Sequence, residues 1–149
     1  TDAEFAQIMG HEISHALANH TAERMSRAMA TSAGVLAVAV LSDRPVVAAG
    51  SAAVAAKLAL DLPNSRTAES EADQIGMELA VRAGYDPDAA VSLWEKMASQ
   101  GGGSRPPEFL STHPAPGNRQ ANLAAMIPEM RQLNPTGKLA PVHPVQIMK

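Results

Sequence analysis

Phe5, Ile8, Ile13, Leu17 and Met25 recur near helical spacing, which predicts one helix from the first residues through His15 to about Met29. Thr1-Asp2-Ala3-Glu4 has the S/T-x-x-E form of a capping box, so that helix starts with the chain. Two Ala/Val-rich segments follow, apolar all round and separated by the turn Asp43-Arg44-Pro45. They predict a helical hairpin over 30–62, although β-branched Val leaves a strand reading open for Val35–Val40. Leu62-Pro63-Asn64-Ser65 ends the pair, and a helix over 66–83 closes on Gly84 as its C′ residue. Asp86-Pro87 supplies an N-cap and a proline at N1 for a helix over 86–100, on which Ala90, Leu93, Trp94 and Met97 share a face with Trp94 as core anchor. A Gly/Pro-rich loop over 101–116, a helix over 117–133 and a proline-marked extended tail over 134–149 complete the chain.

Composition sharpens this picture. The 149 residues suffice for one domain, and a chain 46% hydrophobic but only 3% aromatic must pack Ala, Leu, Val and Met. Such small residues at high density favour closely packed helices, so the expected class is mainly α. A net charge of −3 with no basic run argues against nucleic acid as a partner. With no cysteine, neither a disulfide framework nor a thiolate metal site can form. The longest uncharged runs in the apolar region are Ala28–Ser42, 15 residues, and Pro45–Ala56, 12 residues. A span needs about 20, so the hairpin is expected to be buried or to lie on a surface. The chain opens on Thr rather than Met, which leaves open a signal or membrane anchor before it.

The chemistry is concentrated in His11-Glu12-Ile13-Ser14-His15. Residues four apart on a helix share a face, so both imidazoles can reach one zinc ion while Glu12 beside them serves as base. Chance produces this pattern in a chain of this size about 1% of the time at average composition, so a third ligand has to be found. Glu69 and Asp73 lie four apart on the later helix, with Glu71 turned to its opposite side. Glu69 suits the third ligand position; Asp73 suits the acceptor that orients a ligating imidazole. The competing reading makes both part of a solvated acidic face. His20, five residues past His15, would lie about 140° round a continuous helix and so off the metal face; a structural hydrogen bond is expected for it. His143 is expected in solvent, Arg66 on a helix surface and Tyr85 in packing.

H-E-x-x-H followed by E-x-E-A-D resembles the gluzincin metallopeptidases of the HtpX and CAAX-prenyl-protease type, including soluble periplasmic members such as BepA and LoiP. The resemblance runs from Glu4 to about Leu123 and takes in His20, Ser65-Arg66, Ala83-Gly84-Tyr85-Asp86-Pro87, Ser111-Thr112-His113-Pro114 and Arg119. It implies a zincin-like peptidase domain over 1–133, one zinc per chain on His11, His15 and Glu69, and Glu12 as catalytic base. It also implies that His113 faces the metal cleft and that Arg119 assists from the next helix. His113 could donate to the oxygen that gains charge in peptide hydrolysis, or as a neutral imidazole could take the open metal position. Arg119 could instead hold Glu69 or Asp73, bind substrate, or be a plain helix-surface charge. The resemblance further implies cleavage of proteins or peptides, misfolded envelope proteins among them, in a bacterial periplasm or at a membrane. It places a small substrate-binding β-sheet upstream of the zinc helix, so the chain is expected to be the helical part with that sheet largely missing. Two other functional readings stand beside a peptidase. One is a zinc-stabilised, chaperone-like binding module or an inactive fragment; the other is a metal-free helical interaction domain.

Overall fold

Thr1 closes both halves of the expected capping box with Glu4, starting α1 (Asp2–Leu17). The computed structural model describes residues 1–100, 113 and 118–140. Within them follow α2 (His20–Val40), α3 (Pro45–Ala56), a π-helical segment (Lys57–Asp61), α4 (Leu62–Arg82), α5 (Asp88–Gln100) and α6 (Arg119–Leu133). The class is mainly α, with helix as the regular structure of the described residues. The segment Val35–Val40, read as a possible strand, is helical in α2.

Two boundaries differ from expectation. The single helix over 1–29 is two, because Asn19 adopts φ 56°, ψ 27°. Asparagine tolerates that left-handed conformation, and the bend lets the chain restart at His20 in a new direction. Conversely, Pro63 does not end the hairpin: α3, the π segment and α4 run on as one helix of 38 residues from Pro45 to Arg82. Proline offers no N–H to the preceding turn, and a π turn just before it shifts the hydrogen-bond register, with the Leu62 N–H bonding to the Lys57 carbonyl.

The apolar core lies between α4, α5 and α6, where Met77, Val81, Trp94, Met97, Leu123 and Met130 pack together. Trp94 is the anchor its spacing predicts. Asp86 caps the entry to α5 by accepting from the Asp88 N–H at 3.1 Å. At the end of α4, Gly84 takes φ 97°, and bonds from Tyr85 N–H to Ala80 O and from Gly84 N–H to Val81 O form a Schellman cap. The first part of the expected tail docks back here, the Ala140 N–H reaching the Ala83 carbonyl at 2.9 Å. The loop residues 101–112 and 114–117, and the end of the tail with His143, lie outside the described residues.

Helix α1 packs on α4 through its polar side. Glu4, Gln7, Gly10, His11 and Ser14 are buried, whereas Phe5, Met9, Ile13 and Leu17 are exposed. Each buried polar side chain on that face has partners: Ser92 and Lys96 hold Glu4, and Gln7 donates to the Asp86 carbonyl. The helices touch backbone to backbone at Gly10 and Gly76. A Cβ on Gly10 would sit 2.5 Å from the Gly76 carbonyl oxygen, and one on Gly76 would sit 2.6 Å from the His11 nitrogen. Replacing Gly76 by Ala is therefore expected to cost about 1–3 kcal/mol and to lower metal content by displacing His11. The matched change Gly50→Ala, in open space on α3, should stabilise by roughly 0.5–1 kcal/mol. Thermal unfolding and elemental analysis of both variants check the pair; equal effects at the two glycines would remove the steric argument.

Candidate active site

The Gly10–Gly76 approach brings the next residue of α1, His11, over the turn of α4 that carries Glu69 and Asp73. His15 follows one turn later on the same face, as the motif spacing requires. His11 Nε2 lies 3.1 Å from His15 Nε2 and 3.4 Å from Glu69 Oε2, and His15 Nε2 lies 3.3 Å from Glu69 Oε1. Ligands bound tetrahedrally at zinc-like distances stand roughly 3.3 Å apart, so these three atoms fit one ion.

The proton arrangement supports the same fit. His11 Nδ1 is 3.0 Å from Asp73 Oδ1, so when the ring is neutral an N–H donated there turns the Nε2 lone pair towards Glu69 and His15. His15 Nδ1 is 2.8 Å from His20 Nδ1, and His20 Nε2 donates in turn to Glu71 at 3.3 Å. That chain likewise turns the His15 Nε2 lone pair towards His11 and Glu69. Two imidazole nitrogens and a carboxylate facing one another within 3.4 Å call for a positive charge among them, a proton on His11 or a metal ion in its place.

The electrostatics agree. Burial pushes the Glu69 carboxyl up, but the hydrogen bond from His11 and the fields of His113 and His11 overcome it and bring the group down to about 2. Glu69 is thus ionised at neutral pH. Burial lowers His15 below an ordinary imidazole, and Glu69 opposes this only in part, so His15 stays neutral. Burial also lowers His11, but its hydrogen bonds to Asp73 and Glu69 outweigh that and raise it. A proton therefore competes with a metal at His11 more than at His15.

His113 completes the ring. Its Nδ1 stands 3.0 Å from Glu69 Oε1 and 3.3 Å from His11 Nε2, so it could supply a fourth ligand. Its Nε2 is 3.3 Å from Glu12 Oε1. Glu12 lines a groove of about 540 Å³ together with His15, His20, Arg24, Glu69 and His113. Arg119 does not line that groove. It is buried, with its guanidinium 4.0 Å over the Trp94 ring, bonded to Glu69 at 3.3 Å and to Asp73. Its burial corrects the helix-surface expectation, and the structure places it behind the candidate ligands, where it neutralises two buried carboxylates.

The sequence reading of His20 as a structural residue had the wrong geometry behind it. The break at Asn19 returns its ring to the side of the candidate ligands, where it bonds His15. Asn19, a residue at home in the left-handed region, was the available signal. Glu71, correctly placed off the metal face, is the far end of that relay.

A model of peptidase family M48 matches residues 1–127, and the chain belongs to that family. It is 34% identical over 145 residues to metalloendopeptidase OMA1, mitochondrial, of Bos taurus, covering 91% of this chain and 28% of that protein. It is 40% identical over 134 residues to mitochondrial metalloendopeptidase OMA1 of Arabidopsis thaliana, covering 89% and 26%. With the beta-barrel assembly-enhancing protease of Escherichia coli K12 it shares 31% over 140 residues, covering 89% and 29%. The chain thus spans under a third of the length of these relatives. No solved structure matches it at a significant level.

The hydrogen-bond partners of the two imidazoles should control metal retention. His20→Ala and Asp73→Ala are each expected to weaken zinc binding 10–100-fold with helicity unchanged. Competition against a chromophoric chelator reads this directly; unaltered affinity in both variants would sink the orienting role.

Proposed function

We propose that the chain is the catalytic domain of a zinc-dependent metalloendopeptidase, with one zinc held by His11, His15 and Glu69 and with Glu12 as base. The observation that carries this reading is the pairing of a three-ligand set with a non-ligand carboxylate: Glu12 is half-exposed on the open groove, beside the ligands but bonded to none of them. A structural metal site has no use for such a group. This weighs against the chaperone-like module and the metal-free interaction domain.

Zinc held there would polarise a substrate carbonyl and bring the pKa of water towards about 7. Glu12 then takes the proton of the attacking water and delivers it to the leaving nitrogen. Asp73 and His20 keep the two imidazoles aimed, and Arg119 holds Glu69 and Asp73 in place. His113 spans the ligand set and Glu12, the place where water and the substrate carbonyl must meet. In this position its ring closes the site; swung aside, its N–H could donate to the carbonyl oxygen as charge develops. Substrates are polypeptides, consistent with relatives named as endopeptidases and as a protease that enhances β-barrel assembly. Protein quality control in a bacterial envelope is the setting we assign.

Glu12→Gln should keep one zinc per chain and lose proteolysis by about 10²–10⁴-fold, whereas His11→Ala and Glu69→Ala should lose zinc as well. Digestion of casein with and without chelator, beside elemental analysis, tests this, and persistent cleavage by the Glu12 variant would falsify the assignment. His113→Ala should change the rate in one direction or the other, upward where closure of the site dominates and downward where donation does. A rate within about twofold of the parent leaves His113 without a role.

A further inference from the structure

We infer that Arg24 is the cation of a specificity subsite, which takes an acidic side chain of the polypeptide close to the bond that is cleaved. The inference rests on the peptidase reading and adds a substrate preference to it. Beyond the ligand atoms the groove continues between two walls. Thr21, Arg24 and Ala28 of α2 line one, and Leu62, Ser65 and Ala68 of α4 line the other. Its volume of about 540 Å³ is that of a pocket which holds a ligand rather than a few waters.

Helical spacing places Arg24 along this groove. His20 and Arg24 are four apart on α2, so the guanidinium stands one turn beyond the ring that bonds His15. One turn advances about 5.4 Å, the reach of roughly two residues of extended polypeptide. The charges nearer the ligands are already committed. Glu69 is held by His15 and Arg119, and Glu12 stands beside His113. Of the two arginines on the α2 wall, Arg27 is paired with Glu23. Arg24 is exposed and makes no hydrogen bond or ion pair with the described residues.

Asp61 also lines the groove, but it lies eight residues before Glu69, two turns out, on a side chain too short to return. It faces polypeptide beyond the Arg24 position, so the charge met first on leaving the ligands is positive. A substrate carboxylate can take two parallel N–H bonds from the planar guanidinium. Leu62, Ala28 and Ala68 beside it keep water back and strengthen the pair. A substrate lysine at the same place meets like charge and is rejected.

Zinc-loaded protein is given fluorogenic peptides of one sequence that carry Glu, Gln or Lys in turn at each position flanking the bond cleaved. At one position kcat/KM should be roughly tenfold higher for Glu than for Gln, lowest for Lys, and the gap should narrow as salt rises. Arg24→Gln should bring the Glu-to-Gln ratio within about twofold of unity. Arg24→Glu should favour Lys, and both variants should keep one zinc per chain. Arg44→Gln, exposed at the far turn of the hairpin, should leave the ratio as it was. Cleavage blind to charge, or a Glu preference that survives Arg24→Gln, would overturn the subsite and leave the peptidase reading standing. No cleavage of any peptide or of casein would overturn both.

Discussion

The contact between Gly10 and Gly76 is the constraint on which the rest of the structure depends. Helices usually pack with axes 8–10 Å apart because side chains stand between them. Here a single methyl on either glycine would collide with the opposite backbone. Only that approach lets His11, adjacent to Gly10, and Glu69, two turns before Gly76, bring ligand atoms within 3.4 Å. Metal geometry tolerates errors of a few tenths of an ångström, and this junction would hold the candidate ligands to that tolerance.

That junction is polar, which reverses the usual logic of an amphipathic helix. Helix α1 buries His11, Gln7, Ser14 and Glu4 and leaves Phe5 and Met9 outside. Burying such groups is costly unless every one is bonded. The cost is offset by a linked network in which Asp73 serves both His11 and Arg119, and Arg119 also holds Glu69. Loss of one member would leave the others charged and unpaired in a region of low dielectric. Apolar stabilisation comes from elsewhere, the α4–α6 core anchored by Trp94, and the Arg119 guanidinium over that ring ties core and site together.

One long helix from Pro45 to Arg82 serves both ends of the molecule. Its first half is half of the apolar hairpin, and its second half carries Glu69, Asp73 and Gly76. The metal groove lies where the two halves meet, and its walls are partly ligand and partly hairpin base. Membership of peptidase family M48 covers both halves, and the hairpin half keeps an exposed apolar surface.

What the sequence determined alone was everything carried by local spacing. His11 and His15 share a face because they are four apart, as do Glu69 and Asp73. Thr1 and Glu4 form their capping box, and Gly84 ends α4 through a positive φ that only glycine adopts freely. Tertiary structure decided the rest, because it turns on which distant surfaces meet. Asn19 broke the first helix and swung His20 behind His15. A π turn carried the chain through Pro63. Arg119 went to the buried side of the carboxylates, and the polar rather than the apolar face of α1 was chosen for burial. A pattern of spacings specifies what one helix presents, whereas the partner that completes a site depends on backbone approach and on the bonds that repay desolvation.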